Sequence, residues 1–178
     1  KNPISDMLAR EALSLLANNI ETAVHNGSDI QARQNMLLGA MIAGQAFANS
    51  PVAAVHALAY PLGGHFHIPH GLSNSLVLPY VLRFNAEAAA GQYAELAAII
   101  LGDKLVAGTA QEATEQLIAG MVELIEKVGL PARLRDMDIP EDFLPTLASD
   151  AMLQQRLLIN NPVDVTEADA LAIYTAAY

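Results

Sequence analysis

The sequence predicts an all-α fold, a compact multi-helix domain, and three observations carry that expectation. Apolar residues recur at three- and four-residue spacing through most of the chain. The segments so marked begin beside Asn, Ser, Thr, Asp or Pro and break at Gly or Pro. Nowhere do four or more residues alternate apolar with polar in the β-branched pattern of a strand.

In order along the chain, Ile4, Met7, Leu8, Leu15, Leu16, Ile20 and Val24 mark a first helix over residues 3–25. Pro3 suits its first turn beside an Asn2 cap, and Asn26-Gly27 stops it. Ser28 or Asp29 caps a second helix that runs through Met36, Met41 and Phe47 and ends at Asn49-Ser50-Pro51. Its many small residues imply close helix neighbours. A third helix over residues 52–60 is expected to end in a segment containing Pro61, Gly63 and Gly64. Pro69-His70-Gly71 then introduces a fourth that reaches residue 84, with Asn85 as its stop. Further helices are expected over residues 88–101, 109–128, 141–153 and 166–176, with Gly129-Leu130-Pro131 as the main internal loop. Nothing in composition marks a second domain within residues 1–178.

Nineteen acidic against nine basic side chains give a formal charge of −10. That balance excludes a nucleic-acid or anionic-membrane partner, which would need clustered Lys and Arg. The absence of Cys removes disulfides, thiolate zinc sites and thiol nucleophiles, and it is compatible with a cytoplasmic location. The most apolar stretch, residues 36–48, falls short of the roughly 20 residues of a membrane span and is interrupted by Gly39, Gly44 and Gln45. A chain that opens Lys1-Asn2-Pro3 is read as beginning partway through a longer gene product.

Four of the five histidines, His56, His65, His67 and His70, fall within fifteen residues. A neutral imidazole donates a lone pair without carrying a negative charge, so a metal site is the first hypothesis. On one unbroken helix His56 and His70 would stand about 21 Å apart at 1.5 Å per residue, so the chain must turn between them. Pro61, Gly63, Gly64 and Pro69 are the residues expected to make that turn. Spacing alone leaves the ligand set open, since His65 and His67 point the same way in an extended loop. The competing interpretation is structural, with the imidazoles capping helix ends or bonding buried carbonyls. Neither His-Glu-x-x-His nor Glu-x-x-His occurs, nor a glycine-rich nucleotide cradle, nor a Gly-x-Ser-x-Gly nucleophile elbow. Glu21 and His25, one turn apart, read as an exposed pair.

The segment from His56 to Gly64, His-Ala-Leu-Ala-Tyr-Pro-Leu-Gly-Gly, followed by Pro69-His70-Gly71-Leu72-Ser73-Asn74, resembles the signature of the iron-containing, group III alcohol dehydrogenases. The likeness extends to Asn2-Pro3-x-x-Asp6, Ala32-Arg33, Leu78-Pro79, Phe84-Asn85 and residues 166–178. It implies the C-terminal helical domain of the dehydroquinate synthase-like fold, preceded in the whole enzyme by an α/β domain that holds most of the NAD or NADP site. The implied reaction interconverts a small-molecule alcohol and its aldehyde or ketone, with a divalent ion, iron first and zinc second, in a cytoplasmic homodimer without a membrane partner.

By the same resemblance His56 and His70 are two of four metal ligands, an Asp and a His upstream of residue 1 supplying the others. Phe47, His65 and His67 become substrate-pocket or supporting groups. Tyr60 stands where many members carry a catalytic His, and a phenol donates a hydrogen bond but gives up its proton far less readily than an imidazolium. The chain by itself is expected to be inactive. The alternative is a non-catalytic helical module for assembly or ligand binding, its histidine cluster serving structure.

Overall fold

The computed structural model describes residues 2–178, and among them it contains helices and turns but no strand. The α-helices are α1 (Pro3–His25), α2 (Ile30–Asn49), α3 (Ala54–Phe66), α4 (His70–Leu101), α5 (Ala110–Lys127), α6 (Leu144–Ala151), α7 (Gln155–Leu158) and α8 (Glu167–Ala177). Short 3-10 turns lie at Gly102–Lys104, Leu134–Met137 and Glu141–Phe143. Residues up to Pro51 together with Ala90–Val128 form one compact unit; Val52–Ala89 and Gly129–Tyr178 form a second. Helix α4 supplies residues to both.

The caps follow the expected chemistry. Asn2 Oδ1 accepts from the amides of Ile4 and Ser5 at 3.0 and 2.9 Å, and Ser5 Oγ accepts from the Asn2 amide in return. Asp29, rather than Ser28, caps α2 by accepting from the Ala32 amide at 2.9 Å. Thr109 with Glu112, and Thr166 with Asp169, form reciprocal capping boxes at α5 and α8. Gly129, at φ +73°, takes the left-handed conformation that ends α5. No single helix among the described residues is long and apolar enough to cross a membrane.

Two expected helix ends are overridden. Helix α3 does not stop at Tyr60 but continues through Pro61 to Phe66. Proline removes one helical hydrogen bond at a cost of about 3 kcal/mol. The burial of Leu58, Pro61 and Leu62 in the second unit's core offsets it. Gly63 and Gly64 stay helical, and the reversal falls instead at His67, a non-glycine residue at φ 54° whose amide bonds the Gly63 carbonyl at 3.1 Å. Asn85 likewise fails to break α4, which runs unbroken for 32 residues. Its buried amide is satisfied sideways in a reciprocal pair with Asn161, at 3.0 and 2.8 Å, and so does not compete with the helix backbone.

In the first unit α1 and α2 pack along their length, closely enough at Gly39 that an added Cβ would stand 2.9 Å from Leu16 Cγ and 3.2 Å from Leu15 Cβ. Ala97, Ala113 and Leu117 form a second apolar contact within that unit. Glu21 and His25 both reach Lys127: the carboxylate pairs with its ammonium at 3.8 Å, and the imidazole bonds its carbonyl at 2.9 Å.

In the second unit, α3, α6, α7 and α8 surround Leu58, Leu62, Leu147 and Tyr174. The Tyr174 hydroxyl donates to the Leu58 carbonyl at 2.6 Å, tying α8 to α3 between His56 and Tyr60. Burial, reinforced by the negative charge of Asp150, pushes the Tyr174 phenol well above its ordinary range.

Gly39→Val should lower the unfolding free energy by about 1–3 kcal/mol through overpacking against α1, read by urea denaturation. Tyr174→Phe should cost about 1–1.5 kcal/mol at neutral pH, the net worth of one hydrogen bond. Because the folded protein holds this phenol's proton above the unfolded value of about 10, its contribution is complete below that pH and declines as pH rises through it. Unfolding curves at neutral and strongly alkaline pH should therefore differ less for Tyr174→Phe than for the parent chain.

Candidate metal centre

His56 lies in the first turn of α3 and His70 is the first residue of α4, so the reversal at residues 67–69 brings together side chains fourteen positions apart. Their ring centroids are 5.1 Å apart with planes inclined at 55°. An imidazole bound through nitrogen at ~2.0–2.1 Å has its centroid about 3.2 Å from the ion, so two rings 90–110° apart about that ion are separated by about 4.5–5.3 Å. The observed centroid separation falls within that range. Among the described residues no group of three or more His, Asp or Glu gathers at one point, so His56 and His70 stand as a pair.

Tyr60 follows His56 by one turn of α3, and its ring centroid is 6.5 Å from that of His56 and 6.1 Å from that of His70. His56 is half-buried. Its pKa is held below the ordinary imidazole value, first by desolvation and then by the neighbouring His70. Both causes favour the uncharged ring, the form that can donate a lone pair.

Two residues to which the sequence analysis assigned no role support these groups. Asn74, one turn beyond His70, donates through Nδ2 to His70 Nε2 at 3.1 Å and to the His70 carbonyl at 2.9 Å. Asp150 of α6 bonds His65 Nε2 at 2.6 Å. The four-residue spacing from His70 was the available signal for Asn74. Asp150, eighty-five positions from His65, had none.

The remaining site candidates are dispersed. His65 packs its ring 5.0 Å from Phe143, and Phe143 in turn meets Phe66 at 5.1 Å. Its side chain thus ties the end of α3 to the start of α6. His67 is exposed and serves as the left-handed cap of α3. The extended loop that would align His65 with His67 does not form, because His65 is still helical. Phe47 lies near the end of α2, in the first unit, with 57% of its surface exposed.

The chain matches the model of the Fe-containing alcohol dehydrogenase family, C-terminal, over residues 1–178. It is 42% identical over 177 residues to long-chain-alcohol dehydrogenase 1 of Geobacillus thermodenitrificans, covering 99% of this chain and 45% of that protein. Identity to 1,3-propanediol dehydrogenase of Klebsiella pneumoniae is 36% over the same shares. Among solved structures, a 1,3-propanediol oxidoreductase superposes with a TM-score of 0.94 at 35% identity, covering 99% of this chain and 46% of the other. Sulfoacetaldehyde reductase from Bifidobacterium kashiwanohense in complex with NAD+ superposes with a TM-score of 0.85 at 28% identity, covering 99% and 44%. The chain thus spans less than half the length of these relatives. With a family model matched over its full length, on an all-helical architecture that its solved relatives share, this chain belongs to the Fe-containing alcohol dehydrogenases and corresponds to their C-terminal domain.

Proposed function

We propose that residues 1–178 are the metal-binding helical half of an NAD(P)-linked dehydrogenase whose longer polypeptide interconverts an alcohol and its aldehyde or ketone by hydride transfer. The observation that carries this reading is the His56–His70 pair: two adjacent imidazoles whose ring centroids stand 5.1 Å apart, a separation that suits one cation. Relatives named for alcohol and propanediol dehydrogenation support the reaction class, and the relative seen with NAD+ supports the nicotinamide partner. Family membership disfavours the non-catalytic module.

In this reading His56 and His70 hold a divalent ion, iron before zinc, and the N-terminal part of the same polypeptide supplies the other ligands and most of the cofactor site. The chemistry such an ion supplies is Lewis-acid polarisation of the substrate oxygen. Tyr60, beside both rings, donates a hydrogen bond that orients that oxygen. Asp150 fixes His65 at the far end of α3, and Tyr174 fixes the Leu58 carbonyl near its beginning, so α3 presents His56 and Tyr60 from a braced helix. The whole enzyme is proposed to act as a cytoplasmic homodimer.

The longer gene product should hold about one divalent ion per chain by elemental analysis, and His56→Ala or His70→Ala should cost at least about 100-fold in NAD(P)-dependent alcohol oxidation together with the ion. Undiminished oxidation in His70→Ala would overturn this reading. The 178-residue chain alone should be inactive and should bind ferrous or zinc ion more weakly than micromolar, because two imidazoles leave an ion largely water-coordinated. Sub-micromolar binding seen by calorimetry and abolished by His56→Ala would overturn the two-of-four ligand assignment.

A further inference from the structure

We infer that Asn26 is a site of spontaneous covalent modification: the Gly27 amide nitrogen closes on the Asn26 side chain, ammonia leaves, and water opens the ring to aspartate or isoaspartate. The inference concerns the turn between α1 and α2 and is independent of the metal reading.

Two requirements select this residue. The first is a following backbone nitrogen that can reach the side-chain carbonyl carbon. Of the ten asparagines only Asn26 precedes glycine, which has no Cβ to obstruct the approach. Asn2 and Asn161 precede proline, whose nitrogen carries no hydrogen and cannot attack. The second requirement is a side chain able to turn and an amide nitrogen able to leave. Among the described residues the other nine asparagines all donate through Nδ2 to a protein group. Asn18, Asn19, Asn49 and Asn74 bond the carbonyl one helical turn back at 2.7–2.9 Å, and the rest bond carbonyls or side chains farther off. Asn26 is held only at the opposite end of its amide. Ser28 Oγ donates to Asn26 Oδ1 at 2.7 Å, which draws electron density from the carbon under attack and leaves the departing nitrogen unbound.

The backbone permits the closure. Asn26 caps α1 at φ −129° and ψ 75°, past the last helical residue, and Asn26, Gly27 and Ser28 are all exposed. Closure requires rotation about the Asn26 Cα–C bond, opposed by one backbone hydrogen bond across the turn, from the Asp29 amide to the Asn26 carbonyl at 3.0 Å. Gly27 N loses its proton as the N–Cγ bond forms, the Cγ–Nδ2 bond breaks, and that nitrogen leaves as ammonia. Water then cleaves one of two bonds in the ring. Breaking Cγ–N restores the ordinary backbone and leaves aspartate; breaking the backbone C–N bond leaves the chain running through Cβ and Cγ as isoaspartate. Water is the only reagent consumed.

Either product adds a carboxylate to a chain already at −10, at the carbonyl end of α1 where negative charge is unfavourable. Isoaspartate also lengthens the backbone between the α1 cap and Asp29, the cap of α2.

The test holds the folded longer gene product for days at neutral pH in heavy-oxygen water, then digests it with trypsin in ordinary water. Only rings opened during the incubation carry the heavy oxygen, so conversion during digestion is not counted. Cleavage after Arg10 and Arg33 gives a peptide that contains Asn18, Asn19 and Asn26, and its fragment masses compare the three sites in one molecule. Asn26 should convert at least about 10-fold faster than Asn18 or Asn19, to isoaspartate together with aspartate. Gly27→Ala should slow the conversion about 10-fold or more. That variant is accommodated, because Gly27 is not in the left-handed region and an added Cβ meets nothing within 4 Å. Conversion at Asn26 that is absent or no faster than at Asn18 and Asn19 overturns the inference, as does an undiminished rate in Gly27→Ala. Aspartate without isoaspartate also overturns it, since water would then have attacked the side chain directly.

Discussion

The continuity of α3 through Pro61 is the constraint on which the site depends. Were the helix to end at Tyr60, as its proline and glycines suggest, His65 and His67 would join a loop and the chain would turn several residues earlier. The core prevents this. Pro61 and Leu62 are buried, Tyr174 donates to the Leu58 carbonyl, and Asp150 holds His65 at the opposite end. The helix is clamped near both ends, and the turn falls on His67, which accepts a left-handed backbone although it is not glycine. A reversal there sets the first residue of α4 beside the first turn of α3.

Electrostatics then acts on a pair that packing has already assembled. Partial burial and a neighbouring imidazole both disfavour charge on His56. Asp150 gives its carboxylate to His65, in a different part of the same unit, and bears on Tyr174 as well.

Much of the helical order was legible in the residues. The capping signals at Asn2, Asp29, Thr109 and Thr166 acted as their chemistry predicts, and α1 ends where Asn26-Gly27 said it would. What sequence missed was tertiary. Pro61 and Asn85 read as breakers because local propensity has no knowledge of the core around Leu58 or of Asn161, seventy-six positions away. The convergence of His56 with His70 was foreseeable because it needed only a turn of some kind between them, whereas its location needed the fold. Asn74 was visible as part of a motif, but its bond to Nε2 depends on the orientation of an amide that no sequence reveals.

Helix α4 carries one further consequence. Its first part, through Ala89, belongs to one compact unit and its last part, from Ala90, to the other, and each unit is completed by a second stretch of chain. The two units are therefore interleaved along the polypeptide, and no single cut yields both intact. On the ribosome, Val52–Ala89 emerges well before Gly129–Tyr178, so its apolar face waits for partners still being synthesised, whereas α1 and α2 can pair as soon as both are out. The histidine pair is thus made early as sequence and late as structure.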